Sequence, residues 1–178
     1  MDHYYQQLNR KPEDWMGLEA LKADSPEKVE LKIYDYPDKK GQQLQGSIAM
    51  HLDNEFLKTQ IALGEKAVLY KDVSEHVSDL KNAFSLFFFI MKGPNAVGFI
   101  KLGMEIKRKR GCIDGLFLYP EERRKGYAKE ALTLASAFFK KNGMCEISLG
   151  VFTDNTGAVK LYEKLGFKPY TVFMKKKI

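Results

Sequence analysis

The hydrophobic period of this chain changes at Pro120. Upstream of it, from residue 84, apolar side chains come in short runs broken by turn signals; downstream they recur every three or four residues. The phenylalanine-rich run 84–91, the turn signal Gly93, Pro94 and Asn95, and a second apolar run at 96–106 predict a hairpin of two buried strands. The polar stretch 107–111 predicts the next hairpin loop, and 112–119 a third strand in which Gly115 marks a bulge or a close approach. Beyond Pro120, Ala128, Ala131, Leu132, Ala135, Phe138 and Phe139 fall on one helical face, and Asn142 with Gly143 stops that helix. Residues 145–152 read as a strand. Thr153, Asp154 and Asn155 then cap a second helix with Ala158, Leu161, Tyr162 and Leu165 on its apolar side. Gly166 ends it, and 167–174 close as a strand with a basic tail. The order from residue 84 is β-β-β-α-β-α-β, an α/β (α+β) domain on a mixed central sheet.

The first 83 residues are less periodic. They predict a short helix at 12–21, a strand at 30–36, helices at 54–63 and 72–83, and a strand at 66–70 between those helices. No linker or repeat divides the chain, so residues 1–178 are expected to form one domain. Two cysteines, Cys112 and Cys145, make no disulfide framework and have no metal-ligand spacing. The longest apolar run falls far short of the ~20 residues needed to span a bilayer. The N-terminus lacks the apolar core of a signal peptide. A cytoplasmic protein with no metal and no membrane segment is the expectation.

The net charge of +6 favours an anionic partner. Arg123, Arg124 and Lys125 crowd a helix start whose macrodipole is already positive, so an anion belongs there. A strand ending at Leu118, a short loop and a helix beginning near Gly126 leave several backbone N–H groups convergent. Gly126 and Ala128 keep side chains out of the way of a phosphate. Neither the glycine spacing of a P-loop nor that of a dinucleotide fold is present.

The stretch LFLYPEERRKGYAKEAL resembles the acyl-CoA-binding motif of the GNAT N-acetyltransferase superfamily: an apolar strand, Pro, then Arg/Gln-x-x-Gly-x-Gly/Ala at a helix head. The matching residues are Leu118, Pro120, Arg123, Gly126 and Ala128. Downstream, DNTGAVKLYEKLGF is similar to the family's N-x-x-A-x-x-x-Y-x-x-x-G-F segment through Asn155, Ala158, Tyr162, Gly166 and Phe167. The resemblance covers residues 84–174 and leaves the first 80 outside its clear part. It implies acetyl-CoA as the cofactor, with pantetheine in a V-shaped opening between the strands 112–118 and 145–152. Leu116 and Leu118 would offer it backbone partners, and Asn155 a side-chain hydrogen bond. The pyrophosphate would sit on the amides of Arg123, Arg124, Lys125, Gly126, Tyr127 and Ala128.

The resemblance further implies acetyl transfer to a primary amine, on a small molecule or a peptide, by direct attack on the thioester. Tyr162 would protonate the departing sulfur, since a phenol (pKa about 10) is protonated at neutral pH. The N–H near Leu118 would polarise the carbonyl. Tyr162 also suits plain packing on its helix face, and Asn155 a plain N-cap. Asp114 lies four residues before Leu118 and points to the same side of a regular strand, which makes it one candidate base. Glu105 and a water chain are the others. His51 and His76 read as surface or structural histidines, and Lys107, Arg108, Lys109 and Arg110 as a solvated hairpin tip. Two alternatives stand beside the enzyme: a GNAT-like domain that binds CoA as a regulator, and a basic module gripping nucleic acid through 107–110 and 175–177. No RNA-binding aromatic signature supports the latter. A strand at 171–174 would offer an edge for a homodimer.

Overall fold

The computed structural model describes Leu21, Ser25 and residues 27–34, 43–83 and 85–176. Five strands, β1 (Glu30–Ile33), β2 (Leu86–Lys92), β3 (Asn95–Glu105), β4 (Arg110–Leu118) and β5 (Glu146–Leu149), form one sheet in sequence order. The first four are antiparallel neighbours; β5 joins β4 in parallel after the crossover through helix α3 (Tyr127–Lys141). Helices α1 (Gln43–Ala62) and α2 (Val73–Ala83) precede β2, and α4 (Thr156–Lys164) follows β5. The expected order from residue 84 therefore holds through α4.

The uninterrupted apolar run of β2 is explained by burial on both faces. Phe88 and Ile90 pack with Ile100, Leu102 and Met104 of β3 against Ala131, Leu132, Ala135, Phe138 and Phe139 of α3. Phe87 and Phe89 turn the other way, joining Phe99, Phe117, Tyr34, Ala49, Leu52 and Leu80 beneath α1 and α2. Each face of the sheet thus has its own core, and the helical face read from the sequence of α3 is the one that is buried.

The N-terminal half departs from expectation at several points. The helix predicted at 12–21 lies outside the described residues except for Leu21, whose carbonyl accepts from the amide of Leu31. The strand predicted at 30–36 is described as far as Tyr34; β1 ends at Ile33, and the Tyr34 amide still donates to Phe87 O at 2.8 Å. The helix predicted to start at 54 begins instead at Gln43 and carries Gly46 at the end of its first turn. That glycine lowers helix propensity but permits a close crossing: a Cβ there would stand 2.6 Å from Val73 Cγ1 and 2.8 Å from the Tyr34 hydroxyl. Residues 66–70 are not a strand. Their backbone is held by a side chain rather than a sheet neighbour: Asn54 Nδ2 donates to Tyr70 O at 3.0 Å, and Tyr70 N to Asn54 Oδ1 at 2.8 Å.

The strand predicted at 145–152 shortens to four residues, and the one at 167–174 takes no place in the sheet. Its side chains Tyr170, Val172, Phe173 and Met174 are exposed. Lys175 draws the tail to the end of α1, donating to Gly64 O at 3.1 Å and pairing with Glu65 at 3.1 Å. Apolar alternation supplies a strand's side chains but not its hydrogen-bonding neighbour, and none is taken up here.

Phe138 is fully buried and meets Phe88 edge-on at 5.8 Å between ring centroids. Phe138→Ala should lower the unfolding free energy by about 3–5 kcal/mol. Urea unfolding followed by circular dichroism measures it; a loss below ~1 kcal/mol would mean that α3 is not the lid of this core.

Candidate active site

Four rungs join β4 to β5, from Arg110↔Glu146 to Ile113↔Leu149, and then the strands part. β4 runs on to Leu118 along β3 alone, so an opening begins at residue 114. Tyr119 N donates to Val97 O across β3. Alternation along the strand therefore turns the N–H and C=O of Leu118 toward the opening.

The vertex of the opening coincides with a bulge. Lys101 pairs with Gly115 and Leu102 with Ile113, leaving Asp114 without a partner on β3. The extra residue reverses the alternation. Leu116 and Leu118 lie on the α3 side of the sheet, whereas Asp114 turns to the α1–α2 side, not to the side of Leu118 as a regular strand requires. There its carboxylate accepts from Ser85 Oγ at 2.7 Å, in a pocket of about 200 Å³ lined by Asp79, Leu80, Ala83, Ser85, Lys101 and Asp114. A wider depression of about 490 Å³ adjoins it through Asp79. Asp114 reaches solvent through this pocket, yet the packing around its carboxyl pushes the pKa up. The Ser85 hydrogen bond and the Lys101 ammonium only partly oppose that rise, and Glu105 adds to it.

Lys101 does not pair with Asp114. Its ammonium lies 3.1 and 3.2 Å from the two carboxylate oxygens of Asp53, with the rings of Phe56 and Phe99 at 5.8 and 5.7 Å. Asp53 is fully buried on α1 and also meets Nε2 of the equally buried His76 at 3.2 Å. Burial pushes the Asp53 carboxyl up, but the His76 hydrogen bond and the Lys101 charge outweigh it and hold the group below its usual value. Magnitudes explain the choice of partner. Stranding a buried charge costs about 3–5 kcal/mol, whereas a solvent-exposed pair is worth about 0–1 kcal/mol. The cation stays with the buried carboxylate.

The opposite end of the opening is the turn into α3. Residues 120–122 make one 3₁₀ turn, Arg124 (φ 66°) and Gly126 (φ 91°) adopt left-handed backbone, and the helix begins at Tyr127. Among the described residues the amides of 124–128 find no acceptor; the next turn closes with Glu130 N donating to Gly126 O at 3.1 Å. Consecutive free amides around left-handed residues at a helix start form an anion-binding concavity. The three cations diverge in use. Arg123 folds back, its Nε donating to Leu118 O at 3.1 Å and its guanidinium lying 5.6 Å from the Phe117 ring centre. Lys125 pairs with Glu122 at 2.9 Å. Arg124 is exposed and has no partner among the described residues.

Asn155 is the N-cap of α4, its Oδ1 accepting from Ala158 N at 3.2 Å. Tyr162, on the same helix, packs edge-on against Phe167 with ring centroids 5.8 Å apart. Its hydroxyl has no hydrogen-bond partner among the described residues, and burial pushes its pKa up. Glu105 is committed to Arg110, whose Nη2 reaches both of its oxygens at 2.8 Å. His51 is exposed beside Tyr119, with ring centroids 6.2 Å apart. Sequence reasoning missed Asp53, Ser85 and Lys101. One signal was present: Asp53 shares the i, i+3, i+4 stripe of α1 with Ala49, Leu52 and Phe56, where an apolar residue is the norm. Among the described residues no group of three or more His, Cys, Asp or Glu could hold a metal, and no helix is long and apolar enough to cross a membrane.

Known proteins share this fold. The chain is 44% identical over 61 residues to the uncharacterized N-acetyltransferase YycN of Bacillus subtilis and 37% identical over 92 residues to a mycothiol acetyltransferase of Thermobispora bispora. These stretches span 34% and 48% of this chain but only 39% and 31% of those relatives. The crystal structure of YycN superposes with a TM-score of 0.54 at 22% identity, covering 83% of this chain and 98% of that one. That of the aminoglycoside acetyltransferase AAC(6')-Iy, bound to a CoA bisubstrate analogue, does so with a TM-score of 0.59 at 17% identity, covering 84% and 99%. At such identities the superpositions show the shared fold alone. The family model described as "Acetyltransferase (GNAT) family" matches residues 42–167, from α1 through the turn after α4, and the chain belongs to that family.

Proposed function

We propose that the protein transfers an acetyl group from acetyl-CoA to a primary amine on a small molecule or peptide. The observation that carries this reading is the opening itself: five free amides at residues 124–128 mark one end, and at the other the bulge turns the Asp114 carboxylate through the sheet into its pocket. Acetyl-CoA supplies an acetyl thioester. The amides of 124–128 receive its pyrophosphate, with Arg124 adding charge, while Arg123 and Lys125 hold the turn in shape through Leu118 O and Glu122. Gly126 and Ala128 leave room for the phosphates, and Tyr127 starts the helix beneath them. The backbone of Leu116 and Leu118 faces the pantetheine, and Asn155 offers it the amide nitrogen that its capping role leaves over.

Asp114 takes the proton from the amine, for which a carboxyl pKa pushed upward is suited. The freed nitrogen forms its bond to the acetyl carbon, the carbon–sulfur bond breaks, and Tyr162 gives its proton to the sulfur. The Leu118 N–H steadies the charge that develops on the carbonyl oxygen. The acceptor enters from the α1–α2 side, where the Asp114 pocket lies.

Calorimetric titration with acetyl-CoA, followed by mass spectrometry with a panel of amines, tests the reading: binding with acetyl transfer supports it, and absence of binding overturns it. Gly126→Asp should weaken CoA binding at least about tenfold (~1.4 kcal/mol), since it adds a like charge to the phosphate seat and strains a left-handed residue. Tyr162→Phe should cut kcat about 100-fold while leaving CoA affinity unchanged; an equal loss in both would make Tyr162 a packing residue. For wild type, kcat/KM should rise with pH through the Asp114 ionisation, which burial shifts above its ordinary value. Asp114→Asn should abolish that limb; its persistence would assign the base elsewhere.

A further inference from the structure

Lys101 and Asp114 line the same pocket, one rung apart on adjacent strands, yet the ammonium is turned away from the candidate base. The geometry points to Asp53 as a positioning residue: by holding the Lys101 ammonium on the α1 side, it leaves the Asp114 carboxylate unpaired with a cation and free to take a proton from an incoming amine. This inference rests on the reading of Asp114 as base, and it adds a residue that touches neither substrate nor reacting atoms.

Three observations carry it. Both Asp53 oxygens face Lys101 Nζ, at 3.1 and 3.2 Å, so the pair is a fixed contact and not a grazing one. Asp53 is anchored in turn, fully buried, with His76 of α2 on its second oxygen at 3.2 Å; the other ring nitrogen of His76, Nδ1, is buried without a partner among the described residues. The lysine stem is confined too, since Lys101 Cε would lie 3.0 Å from a Cβ placed on Gly115, the residue after Asp114. Released from Asp53, the ammonium has the shared pocket to move into. Among the described residues, the groups that face Asp114 are Ser85 ahead of β2, Lys101 and Glu105 on β3, Cys112 on its own strand, and Asp79 from α2 across the pocket. Of these only Lys101 is a cation, so its placement sets the sign of the local field. The acceptor amine, itself a cation until deprotonated, then meets a carboxylate and not an internal salt bridge.

The test needs no identified acceptor. Carbon-detected NMR of the full chain with labelled aspartate carboxyls follows the titration of Asp114, assigned by its loss in Asp114→Asn. Asp53→Asn, which retains an oxygen for His76, should lower the Asp114 midpoint by about one pH unit, because an opposite charge at close range depresses a carboxyl by that order. Adding Lys101→Gln to Asp53→Asn should restore it. Lys101→Gln alone, which stands in if Asp53→Asn does not fold, should raise the Asp53 midpoint and move Asp114 much less. An unmoved Asp114 in Asp53→Asn would overturn the inference, as would a rise at Asp114 in Lys101→Gln as large as that at Asp53. Failure of the underlying reading looks different: the titrations shift as described while Asp114→Asn still acetylates whichever amine the panel identifies.

Discussion

Four backbone rungs tie β4 to β5, and the site depends on their ending at Ile113 and Leu149. A parallel pair continued for five more residues would bury the N–H and C=O of Leu116 and Leu118 in the ladder. Because it stops, those groups face an open groove whose far end is the first turn of α3. The bulge at the same level adds a second consequence: it turns Asp114 through the sheet, away from the Leu116 and Leu118 face and into the pocket under α2. Free backbone groups and a pocket-facing carboxylate thus come from one strand, separated by the sheet itself.

Such an opening weakens a sheet, and the two cores on either side compensate. Phe138 and Phe139 of α3 close one face, while Phe87, Phe99 and Phe117 form a ladder of rings on the other. The buried polar groups sit where these cores meet the pocket. Asp53, His76 and Lys101 join α1, α2 and β3 by contacts that only the complete tertiary fold can assemble. Partial assembly would leave a buried charge unpaired, which makes the trio a device for specificity of packing as well as for electrostatics.

How much was legible can be judged residue by residue. The turn at 123–128 was readable because its features are local: a proline, a left-handed glycine at φ 91° and a helix start within a few residues of each other. Asn155 as a cap was readable for the same reason. The use of the cations was not. Arg123 reaches back to Leu118 O, and Lys125 pairs with Glu122, so a cluster that reads as three phosphate ligands divides into two structural braces and one exposed charge. The segment 66–70 misled because its backbone partner is the side chain of Asn54, sixteen residues earlier. The tail at 167–174 misled because alternation of apolar residues describes a strand without naming its neighbour.

From the sequence alone came the order of elements from residue 84 through α4, the helix faces, the glycine turn at the head of α3 and the family resemblance. All of these rest on periodicity, backbone preference and spacing within about a dozen residues. The tertiary structure decided which face Asp114 takes and which carboxylate holds Lys101. The contacts responsible join residues 29 and 48 positions apart, Ser85 with Asp114 and Asp53 with Lys101. A one-residue bulge reverses every side chain beyond it, and no local propensity records the strand register that places the bulge.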